Sequence, residues 1–132
     1  MTLTNQDIAD LVQFRRELHR FPEISGEEAE TARRVVTFLD DTRPDTVLTR
    51  LGGHGVAAVY DSGVPGPTVL FRSELDALPI EELSDAPHRS TIAGKSHMCG
   101  HDGHMTMLIA GAAAIQKQRS KFGSNQKVRL LF

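Results

Sequence analysis

At 132 residues, with 39% hydrophobic and 24% charged side chains, the chain is sized for one domain with a real core and lies outside the composition range of disordered proteins. Its net charge of −2, with signs mixed along the chain, excludes the strongly basic balance of nucleic-acid or membrane-surface binders. One cysteine rules out an internal disulfide framework, and the first residues lack the basic-then-apolar pattern of a secretion signal, so the expected location is the cytoplasm.

Thr4 followed by Asp7 has the form of a capping box and predicts a helix with Ile8, Leu11, Val12 and Leu18 on one face. Phe21-Pro22 forces extended backbone and stops that helix near Arg20. Ser25 with Glu28 predicts a second capping box, continued by Ala29, Ala32, Val36 and Leu39 until Thr42-Arg43-Pro44 ends the run. Two short strands follow, 46–51 and 56–60, joined through Gly52-Gly53-His54-Gly55 as a hairpin. Beyond a loop dense in turn residues, 68–72 is apolar at consecutive positions, as a buried central strand is. Residues 77–97 show no periodicity and read as a long loop, a length more often functional than decorative. An alanine-rich helix over 105–118, with Leu108, Ile109, Ala112, Ala113 and Ile115 on its apolar side, leads through a polar turn (120–126) to a strand over 127–132. Helix, helix, strands, helix, strand predicts an α/β sheet covered by helices, a class in which ligands gather at the carboxyl ends of strands.

The chemistry is concentrated in His97-Met98-Cys99-Gly100-His101-Asp102-Gly103-His104, which holds the single cysteine and three of the six histidines. Thiolate, imidazole and carboxylate are the donors of transition-metal sites. In an extended segment residues two apart share a side, so Cys99 and His101 are the candidate ligands, with the positive end of the following helix favouring the thiolate. Glu74 and Asp76 sit where the 68–72 strand leaves the sheet. His104, on the first helical turn, and Glu74 are expected on the substrate side or as hydrogen-bonding support rather than as ligands, Asp102 as a helix cap, Glu81-Glu82 as a solvated acidic pair and His19 as a residue that packs or hydrogen-bonds at a helix end. His54 and His88 read as loop histidines without a role, and His97 is left unassigned.

Four stretches together resemble the N-terminal part of the M20 metallopeptidase and amidohydrolase family, nearest to its hippurate and amino-acid-conjugate hydrolases: residues 16–23 (RELHRFPE), 53–56 (GHGV), 72–80 (RSELDALPI) and 97–104 (HMCGHDGH). The resemblance implies a three-layer α/β/α domain of the zinc-peptidase kind with a central mixed sheet, incomplete over residues 1–132. It further implies two divalent ions (zinc, manganese, cobalt or nickel), bridged by Cys99 with His101 on one of them, and Asp76 as the supporting catalytic carboxylate. The family usually has Asp where Glu74 stands. Its general-base glutamate, further ligands and a smaller domain that dimerises and covers the substrate follow the strand ending here at Phe132. The implied reaction is hydrolysis of an N-acyl amino acid or peptide amide by metal-activated water, with weak metal binding and little turnover in this chain alone. Two rivals remain: a cysteine hydrolase using Cys99 as nucleophile, and a non-catalytic fragment or interaction module.

Overall fold

The computed structural model describes residues 3–119 and 127–132. Helix α1 (Asn5–Arg20) opens with the expected capping box: the Thr4 hydroxyl accepts from the Asp7 amide, and the Asp7 carboxylate accepts from the Thr4 amide. Replacing Thr4 with Ala is expected to cost about 1 kcal/mol of stability, read as a lowered urea midpoint. The buried face of α1 is Leu11, Phe14, Leu18 and His19, whereas Ile8 and Val12 are more than two-fifths exposed. The stripe is thus rotated from the expected one.

Helix α2 (Ala29–Asp40) is present, but the Ser25–Glu28 capping box is not. Its first turn is held instead by Glu23, whose carboxylate accepts from the Thr31 and Glu30 amides and from the Thr31 hydroxyl. Glu28 turns back to accept from the Gly26 amide.

Strands β1 (Thr46–Leu51) and β2 (Gly55–Tyr60) form the predicted antiparallel hairpin, with an irregularity between Leu48 and Leu51. Gly55 is required at its place, since a Cβ there would stand 2.4 Å from the Leu51 carbonyl oxygen. Strand β4 (Lys127–Leu131) pairs antiparallel with β2 and parallel with β3 (Thr68–Arg72), giving a mixed sheet in the order β1-β2-β4-β3.

Alternate residues Val56, Ala58 and Tyr60 of β2, together with Leu130 and Phe132, enter one core with side chains from α1, α2 and α3 (His101–Gln118). All three helices therefore cover the same face of the sheet. The other face carries Leu48, Ala57 and Leu131 in register, and Val59 and Leu70 on either side of Arg129, and no described helix packs on it. Two of the three layers are thus seen among the described residues. Strand β3 is not the buried central strand its sequence suggested: it lies at the edge, with every residue exposed and Phe71 at 52%. Consecutive apolar residues suit a strand covered on both sides, and in the described chain neither side of β3 is covered.

The 77–97 segment has no helix or strand of its own but is firmly tied. Leu78 and Ser96 exchange backbone hydrogen bonds, the Ala77 amide donates to the Glu23 carbonyl, and the Thr91 amide donates to the Arg20 carbonyl. Helix α3 begins at His101, four residues before the expected start. The expected polar turn at 120–126 lies outside the described residues.

Candidate metal centre

Because β3 and β4 are parallel, their carboxyl ends emerge side by side, and the hairpin turn closes over them. Between these parts lies a cleft of about 670 Å³, lined by residues that include His54, Arg72, Glu74, Asp76 and Phe132. Glu74 and Asp76 follow β3 on alternate positions, as backbone leaving a strand directs them.

The cleft acids meet His101. Its Nδ1 lies 2.8 Å from the Asp76 carbonyl oxygen and 3.0 Å from Asp76 Oδ1, an arrangement in which an Nδ1–H donates to Asp76. The opposite nitrogen, Nε2, is 3.9 Å from Glu74 Oε2, and Glu74 is also paired with Arg72 at 3.1 Å. A carboxylate behind one imidazole nitrogen fixes the tautomer and leaves the other nitrogen with its lone pair forward, the usual setting of a metal-binding histidine. His104 is exposed on the same helical turn, its ring centred 5.8 Å from that of His101.

Cys99 does not lie in an extended segment. Met98 and Cys99 form a turn, and Gly100 adopts the left-handed conformation (φ 82°) that glycine tolerates best, so the two-apart rule does not govern Cys99 and His101. The thiol is free and exposed, one residue before the helix N-cap. Among the described residues no three His, Cys, Asp or Glu side chains converge as a ligand set. The donor types fit a divalent ion, and they supply part of a site.

Beneath the first turn of α3 lies a cluster that the sequence did not announce. Asp102 is no cap; Gly100 is the N-cap, and the Asp102 side chain is fully buried. Its Oδ2 stands 2.7 Å from Arg15 Nε and 2.7 Å from His19 Nδ1. His19 Nε2 is 3.1 Å from Glu82 Oε1, so each ring nitrogen faces a carboxylate. Glu82 is therefore not a solvated partner of Glu81: its side chain is 6% exposed. Burial pushes the Glu82 carboxyl up, but the Ser84 hydroxyl, the Ser90 amide and His19 outweigh it and hold it at about 2. Glu81 takes the Gly94 amide across the loop. His88 joins the cluster through Arg15, 3.1 Å from its Nε2.

His97 is buried here, with neither ring nitrogen partnered among the described residues, and Asp102 Oδ1 is likewise unpartnered. Burial lowers the His97 pKa to about 4; Asp102 opposes this, while His19, His101 and Arg15 add to it. Arg15 and His19, four residues apart, were the available signal for the cluster, but their partners Glu82, His88 and Asp102 lie far along the chain and only the fold brings them together.

The sequence pattern of peptidase family M20/M25/M40 matches residues 70–132, the stretch from β3 through the cleft acids and α3 to β4. Over that stretch the chain carries the M20 family's pattern. Among curated proteins, it is 42% identical over 121 residues to IAA-amino acid hydrolase ILR1-like 6 of Arabidopsis thaliana, covering 90% of this chain and 25% of the relative. To the N-acetylcysteine deacetylase of Bacillus subtilis it is 32% identical over 122 residues, covering 92% of this chain and 32% of the relative. Among solved structures, the YXEP protein of Bacillus subtilis, described as a dinuclear metal-binding peptidase of the M20 family, superposes with a TM-score of 0.87 at 30% identity, over 98% of this chain and 36% of that one. The chain spans about a quarter to a third of the length of these relatives. No helix among its described residues is long and apolar enough to cross a membrane.

Proposed function

We propose that residues 1–132 are the N-terminal part of the catalytic domain of a metal-dependent amidohydrolase that cleaves N-acyl amino acids or amino-acid conjugates. The observation that carries this reading is the Asp76–His101 pair at the carboxyl end of β3, which leaves His101 Nε2 forward beside Glu74. His101 and Cys99 would hold the metal, and Asp76 would fix the imidazole. Divalent ions, when bound, supply the Lewis acidity that activates water towards an amide carbonyl. The chain's own residues orient the imidazole, bring a thiol to the mouth of α3 and offer a carboxylate, Glu74, to the cleft. His104 stands on the substrate side.

The names of the relatives support small amide substrates, and the description of the YXEP protein supports a pair of divalent ions. The remaining ligands, the general base, the covering domain and the dimer would belong to sequence beyond residue 132. The same sequence would supply the layer over the open face of the sheet, where Leu48 and Leu70 are about half exposed.

Titration of the 132-residue chain with Co²⁺ tests the reading. A weak visible spectrum with a sulfur-to-cobalt band is expected, lost in Cys99→Ser and His101→Ala. Asp76→Ala should weaken Co²⁺ affinity by about 10–100-fold while leaving the far-UV spectrum unchanged. Ready hydrolysis of an N-acyl amino acid by this chain alone would overturn the view of an incomplete site. Activity blocked by alkylation of Cys99 yet indifferent to chelators would replace it with cysteine catalysis.

A further inference from the structure

The first turn of α3 bears His101 and His104, yet it starts on a glycine N-cap with no side-chain hydrogen bond. Uncapped helix starts fray, because their first amides have no intrahelical acceptor. The buried apolar anchors of α3 come later, at Met105, Ile109 and Ala112. Within the first turn, the fully buried side chain is Asp102, adjacent to His101, and its contacts reach out of the helix to Arg15 and His19 on α1. His19 is itself held from the far side by Glu82 of the 77–97 loop. Arg15 is about one-third exposed, whereas the side chains of His19 and Glu82 are 7% and 6% exposed. The rigid contact to Asp102 is therefore the one made by His19.

We propose that His19 is a positioning residue for the candidate metal centre: braced by Glu82, it fixes Asp102, and through it the turn that keeps His101 Nδ1 on Asp76 and Nε2 towards the cleft. The functional meaning rests on the reading of His101 as a ligand. The mechanical link does not.

Two substitutions separate the nitrogens of His19. A carboxamide in His19→Asn reaches the Nδ1 position and retains a donor for Asp102, while His19→Gln reaches the Nε2 position and retains the Glu82 contact instead. Nitrogen NMR of the imidazoles in the ¹⁵N-labelled 132-residue chain reads the tautomer of His101 directly. His19→Asn, which keeps the Asp102 contact and gives up only the Glu82 brace, is expected to keep most of the Nδ1–H form, with a shift no larger than that of Glu82→Gln. His19→Gln should shift the His101 tautomer ratio by roughly three- to tenfold, the scale of one hydrogen bond. Glu82→Gln, a milder isosteric change, should give a smaller shift in the same direction and serves if His19→Gln does not fold.

Unchanged His101 spectra in both folded His19 variants, with lowered thermal midpoints, would overturn the proposal and leave His19 purely structural. An equal shift in the Asn and Gln variants would also overturn it, because the route would not be Asp102. Adding Zn²⁺ to the unmodified chain separates the two claims. If the His101 resonances ignore zinc while the variants behave as expected, the ligand reading fails and the mechanical link stands.

Discussion

Replacing Asp102 with Ala is expected to lower the unfolding free energy by about 3–5 kcal/mol, because removing one member of a buried ion cluster leaves its partners uncompensated. The Asp102 carboxylate is fully buried and faces Arg15 and His19 at 2.7 Å each. Arg15, partly exposed, can recover water, so the loss is concentrated at His19. An exposed pair gives the contrast. Arg33 and Glu30 are more than half exposed, and breaking their 2.9 Å contact should change stability by less than about 1 kcal/mol. Domains of this kind have only about 5–15 kcal/mol in total, so the Asp102 variant would be left close to its unfolding threshold. Urea denaturation at neutral pH measures both changes. A loss for Asp102→Ala no larger than that for the Arg33–Glu30 pair would show that the cluster is not tightly held.

The second large effect is one of pH. In the unfolded chain His97 titrates near 6.5, whereas burial lowers it to about 4 in the folded one. Between those values the unfolded state takes up a proton that the folded state refuses. Stability is therefore full above pH 6.5 and falls as the pH drops towards 4, by up to about 3 kcal/mol at one pKa unit per 1.4 kcal/mol. Glu82 acts lower down. Its folded value of about 2 lies below the ordinary 4.5, so its contribution is present above pH 4.5 and fades towards pH 2. The windows overlap only between about pH 4 and 4.5. Urea midpoints at half-unit steps from pH 7.5 to 4 should slope in the native chain and flatten in His97→Phe. Since neither nitrogen of His97 has a described partner, that variant gives up no hydrogen bond seen in the fold, and at neutral pH it should hold most of its stability. A slope that survives the substitution would assign the acid sensitivity to another group.

What the sequence made legible was local. The capping box at Thr4, the glycine-rich hairpin turn and the strand over residues 127–131 each depend on neighbours a few positions apart, and each formed as read. Asp76 was placed near the metal centre by the family resemblance, and the structure sets its carboxylate 3.0 Å from His101 Nδ1. Readings failed where a distant residue took over. Glu23 displaced Ser25 as the cap of α2 from eight positions before Thr31, and no capping pattern spans that distance. Asp102 and Glu82 have the composition of surface acids, yet His19 draws both inward. The start of α3 was misplaced because His, Asp and Gly are poor helix formers, and the left-handed Gly100 that allows the turn has no signature beyond glycine itself. Strand β3 was misread for another reason: its residues are those of a covered strand, and the described chain leaves them uncovered.

The contact between His19 and Asp102 closes a separation of 83 residues. Chain closure over such a span is entropically slow, and contacts of this kind form late in folding. During synthesis, Arg15 and His19 of α1 leave the ribosome ahead of both their acids; Glu82 emerges first, and Asp102 only with the start of α3. On the proposal above, imidazole geometry at the cleft waits for that contact, and a chain stalled before residue 102 would carry His19 without the acid it is to fix.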